Sequence, residues 1–191
     1  GSEMCIRDRP KVLVKILVFT ILACLMNLLT TLLIDFNDVL INQVGLSPTE
    51  AEQALSITRV ASVIGTFIVS WFLLAIFFLI TWVITKIFKS NVSAKVVFAS
   101  LLRYSIIMAS VSCVVLFIQW LFHIDPSIVS IDSLNIFAPK NKWLGAISLR
   151  NIITAWFFGI MLHSSFRISQ KWSWIGALAV FIVLFVFSGL A

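Results

Sequence analysis

The sequence predicts an all-α polytopic membrane helical bundle, with five transmembrane helices and a short external helix before the second span. Three observations predict it. First, residues of the AVILMFWYC set make up 61% of the 191 residues, only 12% are charged, and the mean hydropathy is +1.10. Globular domains carry roughly 45–50% apolar and about 25% charged residues. Second, the apolar residues gather into acid-free runs at about 12–34, 60–85, 97–122, 147–166 and 172–190, near the ~20 residues that a helix needs to cross hydrocarbon. Third, these runs are continuously apolar instead of alternating. That argues against a barrel and for helices, which bond every backbone N–H and C=O within their own segment. Crossings use up the chain and leave little for a soluble catalytic domain.

Residues 1–9, GSEMCIRDR, show no periodicity and read as an appended, non-native segment. Residues 10–191 form a single five-span domain. Cys24 and Cys113 lie inside apolar runs and Cys5 in the excluded segment, so the cysteines make no disulfide framework.

The charges orient the spans. One side collects Lys11, Lys15, Lys86, Lys89, Lys95, Arg103, Arg167 and Lys171, while the other has only Arg59, Lys140, Lys142 and Arg150 among six acidic residues: Asp35, Asp38, Glu50, Glu52, Asp125 and Asp132. The positive-inside rule then places the N-terminus and the 86–96 and 167–171 links in the cytoplasm and the C-terminus outside, in a cell membrane. Basic residues that flank lipid-embedded helices give no argument for nucleic acid. Trp82, Trp120, Trp143, Trp172 and Trp174 fall near span ends, where an indole buries its ring and reaches headgroups with its N–H. Trp71 and Trp156 are mid-span and read as lipid-facing or packing residues.

In the first outer loop, Ser47-Pro48-Thr49-Glu50 has the form of a capping box with proline at the first helical position. A helix over 48–58 should lead into the second span with a bend near Thr58 to Ala61, since a straight helix from 48 to 89 would be about 63 Å long. The second loop, about 123–146, mixes turn residues with apolar ones and should pack back on the membrane surface or on the first loop.

Motifs of the common membrane enzymes are missing from the sequence. His123 and His163 belong to no HExxH pair, no GxSxG or nucleotide-binding glycine motif occurs, and no aspartate lies within a span. The chain therefore reads as a non-enzyme with no cofactor and no metal.

What the spans do hold is small and hydroxylated residues at helical spacing. Ser62, Thr66 and Ser70 follow one face of the second span beside Gly65. Ser105 and Ser112 do so in the third, and Ala155 and Gly159 precede His163 in the fourth. Such residues let helices approach closely, so bundle packing is the first reading. A polar path between spans two to four, lined by these residues with Asn27 and Gln119, is the other. Lys89, Lys95, Arg103, His163, Arg167 and Lys171 sit near span ends and suit headgroup or partner contacts.

Phe88-Lys89 leads through Lys95 and Phe98 to Leu101-Leu102-Arg103-Tyr104-Ser105, and Ile152 to Gly159 is followed by the basic turn Ser164 to Lys171. With five spans and a long first outer loop, this order resembles the Ypt/Rab-interacting protein (Yip) family in its bacterial form, over more than half of the chain. Ser105-Ile106-Ile107-Met108 departs from the family's glycine- or proline-containing turn, and the 123–146 loop is longer than the family's. The resemblance implies a non-enzymatic integral membrane protein, linked in eukaryotes to Rab GTPases and vesicle traffic and in bacteria to membrane organisation or accessory roles beside transporters. It brings no catalytic residues.

The leading expectation is thus a scaffold or accessory subunit whose partners are the lipid bilayer and other membrane proteins, as a dry, tightly packed bundle, with oligomerisation open. The alternatives are a small transporter or permease component and a membrane immunity protein acting through its outer loops.

Overall fold

The computed structural model describes residues 12–34, 39–126, 128–139 and 141–190. The appended-segment reading of residues 1–9 lies outside them. The elements are α1 (Val12–Leu33), a π-helical turn (Val39–Gln43), α2 (Pro48–Ile87), α3 (Ala94–Leu121), a 3-10 turn (Leu134–Ile136), α4 (Lys142–Ala146), α5 (Leu149–Phe166) and α6 (Gln170–Leu190).

α2 starts as its sequence dictates. The Ser47 side chain accepts from the Glu50 N–H, the Glu50 carboxylate accepts from the Ser47 N–H at 3.0 Å, and Pro48 opens the helix where its missing N–H costs nothing. From there the helix runs 40 residues to Ile87 without a break at Thr58–Ala61, so the external helix and the second span are one element. At 1.5 Å per residue α2 is about 60 Å long.

α1 packs along α3, and α5 packs along both α6 and α3. Their shared core is Phe19, Leu74, Val97, Leu101, Leu102, Tyr104, Phe158, Met161, Leu162, Phe166 and Ile168. Phe77 brings α2 to this core, with ring centroids 5.8 Å from Tyr104 and 5.4 Å from Phe158. Trp71 packs edge-on against Phe19 at 5.4 Å, so this mid-span indole is a packing residue. Away from these aromatic contacts α2 is the least enclosed long helix: Ile57, Val60, Ile68, Phe72 and Ile80 are exposed, as apolar residues facing lipid are.

Among the described residues four helices, not the expected five, are long and apolar enough to cross a membrane: α1, α2, α3 and α6. α5 occupies the expected fourth span but has 18 residues and carries Arg150, Asn151 and His163 in its end turns. One face of its middle is buried, with Ala155, Phe158, Gly159, Met161 and Leu162 all enclosed.

The 122–148 connection folds onto the start of α5 and the end of α6. Ser133 and Ser148 form an antiparallel bridge, and the Leu134 N–H donates to the Ile147 carbonyl at 3.1 Å. The Arg150 guanidinium donates to Asp132 at 3.3 Å and to the Ser130 hydroxyl at 3.3 Å. Arginine near a span end ordinarily snorkels to headgroups; Arg150 instead closes this loop. α4 lays Trp143 on α6, 5.4 Å from Phe185 and against Gly189.

Candidate functional site

Two concavities meet at Phe88, just past the end of α2. The larger, a cleft of about 1030 Å³, lies between α2 and the unit made by α1, α3, α5 and α6. This is the upper end of the about 300–1,000 Å³ common for ligand sites, and it replaces the expected tight packing between α2 and its neighbours. Leu73, Ile76, Ile80, Ile84, Tyr104, Phe158, Leu162 and Ile175 make most of its wall apolar.

The cleft gathers Asn27, Thr66, Ser70, Ser105, Ser112 and Thr154 from four helices. Several of their hydroxyls are already committed. Thr66 donates to the Ser62 carbonyl at 2.8 Å and Ser70 to the Thr66 carbonyl at 2.7 Å, both within α2. Tyr104 donates to the Thr154 carbonyl at 3.1 Å, and the Thr154 hydroxyl points to Met108 Sδ at 3.2 Å. Asn27 is different: it is 7% exposed and its Nδ2 has no partner among the described residues. A buried amide donor left unpaired is costly in hydrocarbon.

The small-residue stripes divide. Ala155 and Gly159 lie at a close helix contact, where a Cβ on Gly159 would stand 3.0 Å from Ala177 Cβ and 3.3 Å from the Ser173 carbonyl. Gly65 has nothing within 4 Å of a Cβ position. The Ser62–Gly65–Thr66–Ser70 face therefore packs against no helix at Gly65, and further along it opens on the cleft.

The smaller concavity, about 580 Å³, is polar and basic. It is lined by Lys89, Ser90, Asn91 and Ser93 after α2 and by Ser165 and Arg167 at the end of α5, with Phe88 shared with the cleft. The Ser90 hydroxyl donates to the Phe166 carbonyl at 2.6 Å and ties the two links together. Lys89 (φ 50°) and Arg167 (φ 55°) each stop a helix in the left-handed region, where few non-glycine residues sit. Among the described residues neither has an acidic partner. Of the other basic candidates, Lys95, Arg103 and Lys171 are exposed and line neither concavity, while His163 Nδ1 is 2.9 Å from the Ile168 carbonyl.

Two signals escaped the sequence reading. The convergence of Lys89 and Arg167 is a matter of helix pairing, although each was recognisable as a basic residue just past an apolar run. Asp132 and Arg150 carry no spacing motif at all. Among the described residues no three His, Cys, Asp or Glu side chains gather as a metal site. No family model, no curated protein and no solved structure matches this chain.

Proposed function

We propose that this chain is a five-span, non-enzymatic integral membrane protein that serves as an accessory or scaffold subunit by receiving an apolar guest from the bilayer in the cleft beside α2. The cleft carries the reading. A space of about 1030 Å³ with an almost wholly apolar wall gives water few partners, whereas an acyl chain or an apolar side-chain cluster fills it at little desolvation cost. Hydroxyls bonded back to their own helix, as at Thr66 and Ser70, add little polarity to that wall.

The fifth crossing is supported by α5 itself. It is about 27 Å long at 1.5 Å per residue, close to the hydrocarbon thickness, and Arg150, Asn151 and His163 lie in its end turns. It packs along α6, which is long and apolar enough to cross a membrane. An odd number of crossings agrees with the charge bias, which puts the N-terminus in the cytoplasm and the C-terminus outside. The resemblance to the Yip family adds the expectation of a role without catalysis; the geometry carries the rest.

The transport reading keeps one observation in its favour: Asn27, Thr66, Ser70, Ser105, Ser112 and Thr154 line one space. Cysteine labelling separates the two. In a background with the native cysteines replaced, Thr66→Cys, Ser112→Cys and Thr154→Cys should resist a membrane-impermeant thiol reagent in intact membranes, while Glu52→Cys, on the exposed first turns of α2, reacts. Reaction of all three from water would overturn the guest-binding reading in favour of a polar path.

A further inference from the structure

We infer that the two concavities form one binding site for an anionic phospholipid, its phosphate held between Lys89 and Arg167 and an acyl chain running into the cleft. The inference rests on the proposed function and names the guest.

Charge and continuity carry it. Among the described residues the small concavity has two cations and no acidic residue in its wall, and neither cation is paired. Arginine and lysine from two different links, held together by the Ser90 to Phe166 bond, present donors from two directions to a phosphodiester. The first turn of α3 adds to this. The Ser93 carbonyl accepts from the Val96 and Val97 N–H groups, but its side chain makes no cap bond, so the hydroxyl and the Ala94 and Lys95 N–H groups at the start of this 28-residue helix are open to an anion.

The small concavity and the cleft also belong to the same two stretches of chain. After α2 the order is Ile84 and Phe88 on the cleft, then Phe88 to Ser93 on the basic side. At the end of α5 it is Leu162 on the cleft, Ser165 and Arg167 on the basic side, and Ile168 on the cleft again. Phe88, 5.6 Å from Trp172, is the shared wall. A charged end beside a long apolar space matches the two halves of a lipid and no water-soluble anion. Basic pockets at the membrane surface between helices are suited to such headgroups.

The test is lipid binding to the purified full chain in neutral detergent micelles. It is titrated with palmitoyl-oleoyl phosphatidylglycerol, the phosphatidylcholine with the same chains, or inorganic phosphate, and bound lipid is counted by native mass spectrometry. One phosphatidylglycerol should bind at least tenfold tighter than phosphatidylcholine. The double variant Lys89→Gln/Arg167→Gln should abolish that preference while still binding both lipids weakly. Lys86→Gln, whose ammonium lies over Trp82 at 5.8 Å and outside the pocket, should change nothing. Ser105→Phe and Ala179→Phe, on two different helices that line the cleft, should weaken both lipids together and keep their ratio.

Equal affinity for the two lipids overturns the inference. So does a preference that survives the double variant, or one lost as fully in Lys86→Gln. Phosphate competing as well as the lipid would mark a free-anion site and overturn the acyl-chain half, as would Ser105→Phe and Ala179→Phe both binding lipid like the parent. Water labelling of Thr66, Ser112 and Thr154 positions alongside an intact headgroup preference would overturn the cleft as a lipid path while locating the failure in the proposed function.

Discussion

Asp132 accepts hydrogen bonds from both the guanidinium and the backbone N–H of Arg150, each at 3.3 Å, and so pins the long second loop to the first turn of α5. The carboxylate side chain is 5% exposed and the guanidinium 33%. The two halves of the pair are therefore unequal: Asp132 also accepts from Ser130 and lends its carbonyl to the Leu149 N–H. Its charge at a helix N-terminus is favourable as well.

Asp132→Ala should lower stability by about 1–3 kcal/mol, because it strands donors that are partly buried. Arg150→Ala should cost less, since its side chain is a third exposed. Thermal unfolding of both variants in one detergent checks the order. Arg150→Ala costing more than Asp132→Ala contradicts this assignment.

Two glycines on different helices should respond in opposite ways. Gly159→Ala places a methyl 3.0 Å from Ala177 Cβ and 3.3 Å from a carbonyl, and overpacking of this kind costs about 1–3 kcal/mol. Gly65→Ala meets nothing within 4 Å and exchanges glycine for a better helix former, worth up to about 1 kcal/mol. Unfolding midpoints for the pair should move down and up respectively. Equal losses at both positions would mean that α2 is packed at Gly65 after all.

The start of α2 should fray in acid. Accepting from the Ser47 hydroxyl and N–H holds the Glu50 carboxyl below its ordinary value of 4.5. A depressed folded-state value contributes stability that is fully present above the ordinary value and is lost as pH falls through the depressed one. Amide exchange over residues 48–54 should therefore quicken, relative to the core helices, as pH drops below about 4.5. Ser47→Ala should remove most of that pH dependence, and an unchanged profile in this variant would refute the cap as its source.

The count of crossings has a direct readout. Five spans leave the two ends of the chain on opposite sides of the membrane; four would leave them on the same side. Reporter fusions at the C-terminus and in the 88–93 link should report outside and cytoplasm respectively. A cytoplasmic C-terminus would remove α5 from the set of spans.

Local signals carried far in this chain, and long-range ones did not. The capping box at Ser47 and Glu50, and the ends of α1, α3 and α6 to within a few residues, follow from residues that are adjacent in sequence. Which face of a helix packs does not follow. Helices that are apolar all round give no amphipathic contrast between lipid and neighbour, so the Gly65 and Gly159 stripes look alike in sequence and differ in the fold. For the same reason the cleft was invisible: its wall residues, such as Leu73 and Ile76, are indistinguishable in type from lipid-facing Phe72 and Ile68. α5 was recognisable as a helix, but its burial reflects its position among neighbours. The meetings of Asp132 with Arg150 and of Lys89 with Arg167 depend on how α5 pairs with its neighbours, which no spacing encodes.

A cleft beside α2 that opens to the bilayer and holds no continuous water has a direct spectroscopic readout. A nitroxide attached at Ser105→Cys in a cysteine-replaced background, reconstituted in phospholipid vesicles, tests it through collision rates with oxygen and with a neutral, water-soluble nickel chelate. High oxygen and low nickel accessibility are expected, as for a lipid-exposed site of the same depth. High nickel accessibility with low oxygen would contradict a cleft of this kind.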